Sequence, residues 1–229
     1  MTVELCTDSF EGALIAEKFG IKRIELCTAL SEGGLTPSYG LIKKCSKLSV
    51  EVHVMIRPRG GDFQYTTDEI DIMKRDIESA KNLNASGVVF GVLDNNKISS
   101  MNKNLNELAI SLGLETTFHR AFDVISDYHK AIGKLIAYNF KRVLTSGLQP
   151  TAEQGLELIA ELQMCYGDKI QIMAGSGIND RNALKFAKKG IKQIHFTARK
   201  PIVWANKYNL GIDYKIDETK IKFITNLFS

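Results

Sequence analysis

Val3-Glu4-Leu5-Cys6 and Arg23-Ile24-Glu25-Leu26-Cys27 are two strand-like runs of nearly the same composition, and what separates them decides the fold. Asp8 or Ser9 precedes Glu11 as a helix N-cap, and Gly20 stands where a left-handed residue closes a helix before the next strand. The stretch reads as a strand, a helix and a second strand, which is one βα unit and the start of the next. Six further apolar or β-branched runs follow, at 50–56, 87–91, 115–119, 142–145, 170–174 and 193–197. Between them lie helical spacings: Leu41, Cys45 and Leu48; Ile70, Met73, Ile77 and Ala80; and Leu156, Ile159, Ala160 and Met164. Further start signals are Thr36 with Pro37, Thr67, Thr151 after Pro150, and Asn179 before Asp180. Gly113 and Gly190 repeat the role of Gly20.

Parallel strands need helical crossovers, and closure leaves no sheet edge to protect, so eight βα units predict a (β/α)₈ TIM-type barrel. The expected organisation is a single domain over residues 1–229. Within it, about 201–229 forms a connection carrying Pro201 and Trp204, then a final helix on Ile216, Ile221, Ile224 and Leu227. The alternative, an open doubly wound sheet, would want a glycine-rich turn after the first strand, and Thr7-Asp8-Ser9-Phe10 is not one.

Composition narrows the function classes. The chain has 229 residues, 44% hydrophobic and 24% charged, which is ordinary globular usage with enough apolar side chains for a sizeable core. Thirty Lys+Arg against 26 Asp+Glu leave a net charge of +4, too mild a field to favour nucleic acid, and the doublets Lys43-Lys44 and Lys188-Lys189 fit solvated helix faces. No apolar run approaches the ~18 residues of a membrane span. Four cysteines are too few for a disulfide scaffold, so a cytosolic protein with reduced thiols is expected.

Barrel active sites sit at the C-terminal strand ends, so polar residues there carry the functional reading. With a side-chain period of two, Glu4 and Cys6 share one face of the first strand and Glu25 and Cys27 one face of the second. Pointing inward, they bring two carboxylates and two thiols into the barrel while Leu5 and Leu26 face the helices. Adjacent strands lie ~4.8 Å apart, so the thiols could share a soft ion such as Cu(I); alone, each would be a small core residue. The third strand continues through His53, Met55, Arg57 and Arg59 into Gly60-Gly61-Asp62-Phe63, where two arginines suit an anion or, alternatively, a lattice of Arg–Glu pairs closing the barrel. The fifth strand ends at His119, an imidazole expected to titrate near neutrality, with Asp123 placed to orient it. After the seventh, Gly175-Ser176-Gly177 runs toward a helix start, as a phosphate loop does or as a tight turn would.

These segments together closely resemble the CutC family. The resemblance is carried by Glu4-Leu5-Cys6, Arg23-Ile24-Glu25-Leu26-Cys27, Ser31-Glu32-Gly33-Gly34-Leu35-Thr36-Pro37-Ser38 and Ile56-Arg57-Pro58-Arg59-Gly60-Gly61-Asp62-Phe63. It continues in Thr117-Phe118-His119-Arg120-Ala121-Phe122-Asp123, Arg142-Val143-Leu144-Thr145-Ser146-Gly147 and Met173-Ala174-Gly175-Ser176-Gly177. It implies a (β/α)₈ barrel, a cytoplasmic setting, a homodimer and a role in copper homeostasis, with Cu(I) held by Cys6 and Cys27.

Two functions follow as expectations. In the first, Cys6 and Cys27, with Met55 nearby, bind Cu(I), which leaves the other polar groups without a task. In the second, a barrel enzyme takes a small anionic or phosphorylated substrate. Arg57, Arg59, Gly175, Ser176 and Gly177 then bind the anion, Glu25 or His119 transfers a proton, and Asp123 completes the catalytic set. Neither reading calls for nucleic acid or a membrane.

Overall fold

The computed structural model describes residues 1–202 and 212–228 and contains a closed barrel of eight parallel strands. They are β1 (Thr2–Thr7), β2 (Arg23–Leu26), β3 (Glu51–Met55), β4 (Gly87–Phe90), β5 (Glu115–Phe118), β6 (Arg142–Thr145), β7 (Gln171–Gly175) and β8 (Gln193–Thr197). Each expected run becomes one of these strands, and β1 closes the sheet by pairing with both β2 and β8. The helices are α1 (Phe10–Lys18), α2 (Tyr39–Cys45), α3 (Thr67–Asn82), α4 (Met101–Ser111), α5 (Tyr128–Ala137), α6 (Leu156–Tyr166), α7 (Ala183–Lys188) and α8 (Glu218–Asn226). Small hairpins pair Leu93–Asp94 with Lys97–Ile98 and Arg199–Ile202 with Asp213–Ile216. The final helix is α8, which buries Ile221 and Ile224; Ile216, expected on it, instead ends the hairpin strand before it, paired with Arg199, Leu227 caps its end, and Trp204 lies outside the described residues. Among the described residues no helix is long and apolar enough to cross a membrane.

Helix starts shift by a few residues from the sequence expectation, each for a local reason. Ser9 caps α1, accepting from the Gly12 N–H. Ser38, not Thr36, caps α2, because the Thr36 hydroxyl accepts the Arg57 N–H at 2.9 Å instead. Thr66 rather than Thr67 caps α3, in a reciprocal box with Glu69. Thr151 closes a turn with Gln154, and α6 begins only after Gly155; Asn179 likewise opens a turn ahead of Asn182 and α7. Gly20, Gly113 and Gly190 adopt the left-handed conformation expected of them.

Two interiors result from the alternation of side chains. Leu5, Ile24, Leu26, Val54, Phe90, Phe118, Ile172 and Phe196 face the helices and form the large apolar core. Inside the barrel a polar floor carries Glu4, Arg23, His53, Thr117 and Arg142, all buried. Above it Cys6, Cys27, Met55 and Val89 form a small cluster of their own, touched by Leu30. Such an interior needs gaps for its rings: a Cβ on Gly87 would lie 2.6 Å from the His53 ring and 2.7 Å from the Glu115 carbonyl. The carbonyl cannot rotate away, so Gly87→Ala is expected to cost about 1–3 kcal/mol. Urea denaturation measures it, and an unchanged midpoint would show that the interior has slack there.

Candidate functional site

The site starts from strand register. Glu4 stands level with Arg23 on β2 and with His195 on β8, and all three side chains point inward. Its carboxylate accepts from Arg23 Nε and from His195 Nδ1, the latter at 2.8 Å. Arg23 Nη2 donates onward to Gln193 Oε1 at 2.8 Å. Burial alone would raise the Glu4 pKa, but Arg23 and His195 outweigh it and hold the carboxyl well below its usual range. His195 responds in kind: burial opposes its charge, yet Glu25 and Glu4 raise its pKa overall. An ionised carboxylate only accepts, so the hydrogen on Nδ1 is the shared one and Nε2 is turned toward Glu25, 3.9 Å from Oε1.

One level higher, Cys6 is registered with Glu25. The Cys6 thiol donates to Glu25 Oε1 at 3.3 Å, and Cys6 Sγ lies 3.8 Å from Cys27 Sγ. Both sulfurs are buried, and the hydrogen bond to Cys27, aided by burial, pushes the Cys6 thiol pKa well up. Glu25 Oε2 is buried and has no hydrogen-bond partner. Burial lifts the Glu25 carboxyl above its ordinary range, and the Glu4 charge adds to this against the pull of His195. Cys6, Glu25 and His195 offer three donor atoms all within 4.8 Å of one another. They open onto a cavity of about 580 Å³, also lined by Met55, Arg57 and His119.

The remaining expected residues are arranged differently from the sequence picture. Arg57 lines this cavity, but its guanidinium donates to the backbone carbonyls of Glu32, Gly34 and Gly61 and rests on the Phe63 ring. Arg59 lies outside the cavity lining, ion-paired to Glu69 and Asp62. An Arg–carboxylate lattice does exist, but Arg23 with Glu4 and Arg142 with Glu115 build it at the barrel floor.

His119 does not titrate near neutrality: burial, with the Arg57 charge, lowers its pKa to about 3. Its Nδ1 accepts the Ala121 N–H at 3.2 Å, so the neutral ring carries its hydrogen on Nε2, which has no partner. In that form the ring offers a hydrogen-bond donor at Nε2. Asp123 does not touch it. That carboxylate reaches across to β6, accepting from the Thr145 hydroxyl, the Ser146 N–H and hydroxyl, and Arg120.

Ser176 and Gly177 line the cavity, whereas Gly175 ends β7, where a Cβ would sit 2.5 Å from Leu144. The Ser176 hydroxyl donates to the Pro150 carbonyl. Beyond the loop, the N–H groups of Asn179 and Arg181 are taken by the side chains of Asn182 and Asn179. Those two donors are turned inward on the turn itself.

His195 and Glu4 are the members of the site that sequence reasoning did not count as site residues. The signal was present in Gln193-Ile194-His195-Phe196-Thr197, where polar residues alternate with apolar ones on the strand that closes against β1.

Comparison with known proteins agrees with this architecture. A family model described as CutC family matches residues 1–200. A family protein CutC of Bacteroides fragilis is 42% identical over 215 residues, covering 93% of this chain and 83% of its own. The human copper homeostasis protein cutC homolog is 44% identical over 199 residues, covering 86% of this chain and 73% of its own. The crystal structure of CutC from Streptococcus agalactiae superposes with a TM-score of 0.78 at 34% identity, covering 86% of this chain and 98% of that one. The matched span takes in every strand of the barrel and each of Cys6, Glu25, Cys27 and His195, so the chain belongs to the CutC family.

Proposed function

We propose that the chain binds Cu(I) between Cys6 and Cys27 as part of copper homeostasis in a reducing, cytoplasmic compartment. The observation that carries this reading is the 3.8 Å separation of the two sulfurs. A metal–thiolate bond is about 2.3 Å, so thiolates sharing one ion lie within about 4.6 Å of each other. The donor set fits a soft ion: two thiols, with the Met55 thioether in the same small cluster. Cys6 lines the cavity and supplies the entry, while Cys27 is fully buried beside Gly34. Because the thiol of Cys6 is held protonated, loading releases protons and affinity rises with pH.

An anaerobic Cu(I) competition titration tests it. One Cu(I) per chain is expected, weakened at least tenfold in Cys27→Ser and unchanged in Cys165→Ser, an exposed thiol. Equal weakening in both variants would reduce the binding to adventitious thiol chemistry.

A second reading, acid/base catalysis on a small anionic molecule, is favoured by one observation: Glu25 is a buried carboxyl with a raised pKa, facing the cavity beside His195. In it Glu25 moves the proton, and Arg57, Arg120 and Lys220 supply the positive lining. A phosphorylated metabolite turned over by the wild type and by Glu25→Gln at equal rates would remove Glu25 from that role.

A further inference from the structure

We propose a second metal site in the same barrel mouth, in which Cys6 Sγ, Glu25 Oε and His195 Nε2 hold a divalent borderline ion of the zinc type. Cys27 is not part of it. The site differs in chemistry from a dithiol: one thiolate, one imidazole and one carboxylate select zinc or cobalt(II) over magnesium or calcium.

Geometry carries the inference. Bonds of about 2.0–2.3 Å at tetrahedral angles place ligand atoms about 3.3–3.6 Å apart. Here sulfur and carboxylate oxygen are 3.3 Å apart, imidazole nitrogen and the same oxygen 3.9 Å, and all three donors lie within 4.8 Å. An ion requires only a small contraction of side chains already facing one point. The second observation is the orphaned Glu25 Oε2, a buried oxygen without any partner on a residue that faces the cavity. A buried polar atom of this kind costs free energy unless something outside the protein meets it, and a cation would.

The support around the site is that of a metal centre. His195 gives its Nδ1–H to Glu4, which fixes the ring and leaves Nε2 for the ion, and Arg23 fixes Glu4 in turn. Three protein ligands leave a tetrahedral ion one open position, and the three residues line a cavity of about 580 Å³. A water or a substrate oxygen fits that position. The inference does not rest on the Cu(I) reading, but both sites use Cys6 and so exclude each other.

The test is titration of the metal-free protein with Co²⁺, followed by its visible and near-ultraviolet absorption, and with Zn²⁺ in competition with a chromophoric chelator. One Co²⁺ per chain with a thiolate charge-transfer band is expected, and the band is lost in Cys6→Ser. Affinity falls at least tenfold in Glu25→Gln and in His195→Gln, each of which removes one proposed ligand. Glu4→Gln keeps the band and weakens binding roughly 10–100-fold through the histidine. Cys27→Ser leaves Co²⁺ and Zn²⁺ binding intact while weakening Cu(I), and His195→Gln does the reverse. Unchanged Co²⁺ affinity in His195→Gln would overturn the site. So would loss of both metals in Cys27→Ser, which would place every ion on the dithiol; loss of Cu(I) in neither variant would instead sink the Cu(I) reading alone.

Discussion

Arg23→Met is expected to lower the unfolding free energy by about 3–5 kcal/mol, because it strands an ionised carboxylate on the barrel floor. Glu4 is 1% exposed and Arg23 5%. The register of β1 and β2 places them level, so neither can swing to solvent. His195 alone cannot replace the guanidinium, since its proton is already committed to Glu4 at 2.8 Å. The double variant Arg23→Met with Glu4→Gln separates loss of a charge partner from loss of packing. An amide needs no counter-charge and still pairs with His195, so most of the stability is expected to return. Urea denaturation of the wild type, both singles and the double measures the coupling. A cost below about 1 kcal/mol for Arg23→Met would mean that water reaches Glu4 and that the floor is not the sealed ionic layer its burial describes.

The same layer explains how much of the molecule the sequence discloses. Strands of a parallel barrel are covered on both sides, and their outer faces are dominated by Ile, Leu, Val and Phe, which is why all eight runs are legible. The inner face is legible as parity: Glu4 with Cys6, and Glu25 with Cys27, do point into the barrel. What parity cannot supply is the partner across the barrel. His195 is 191 positions from Glu4 along the chain, and only closure between β1 and β8 brings them together. Asp123 is the converse case. Four positions separate it from His119, but the short helical turn Arg120–Val124 carries it to the backbone of Ser146, where several donors compete successfully for its oxygens. Helix starts slip for a related reason: the side chains of Thr151 and Asn179 find backbone partners in their own turns, and that of Thr36 accepts the Arg57 N–H from the end of β3. Arg57 and Arg59 were legible as a pair, but Arg57 gives its donors to the carbonyls of Glu32 and Gly34 in the loop after β2 and to that of Gly61 in the loop that follows it.

Acidification from pH 7 to pH 5 is expected to remove about 2 kcal/mol of stability through each of His53 and His119. Both are buried neutral, with pKa values lowered to about 3. For His53 the cause is burial, reinforced by Arg142 and Arg23; for His119 it is burial, then Arg57. An unfolded imidazole titrates near 6.5, so below that pH the unfolded chain takes up protons that the folded one refuses. Stability therefore falls as pH drops from about 6.5 toward 3, and it is full above 6.5. Two groups oppose this: the raised pKa values of His195 and Glu25 make the folded state bind protons more readily as pH falls. Glu4, held low, loses its contribution only below the ordinary carboxylate range, outside this window. The net slope consequently mixes signs, and the separable quantity is the change in slope when one imidazole is removed. His53→Asn and His119→Asn each abolish one titration, so the difference in unfolding free energy between pH 7 and pH 5 should shift by about 2 kcal/mol toward greater acid resistance, whatever the variant costs at pH 7. Denaturant melts at the two pH values give the number, and the histidine Cε1 proton resonances give the titrations directly. A His119 signal titrating near 6.5 in the folded protein, with no change of slope in its asparagine variant, would show that this ring is hydrated and free to carry protons. That outcome would restore it as the proton-transfer group and move the acid/base reading away from Glu25.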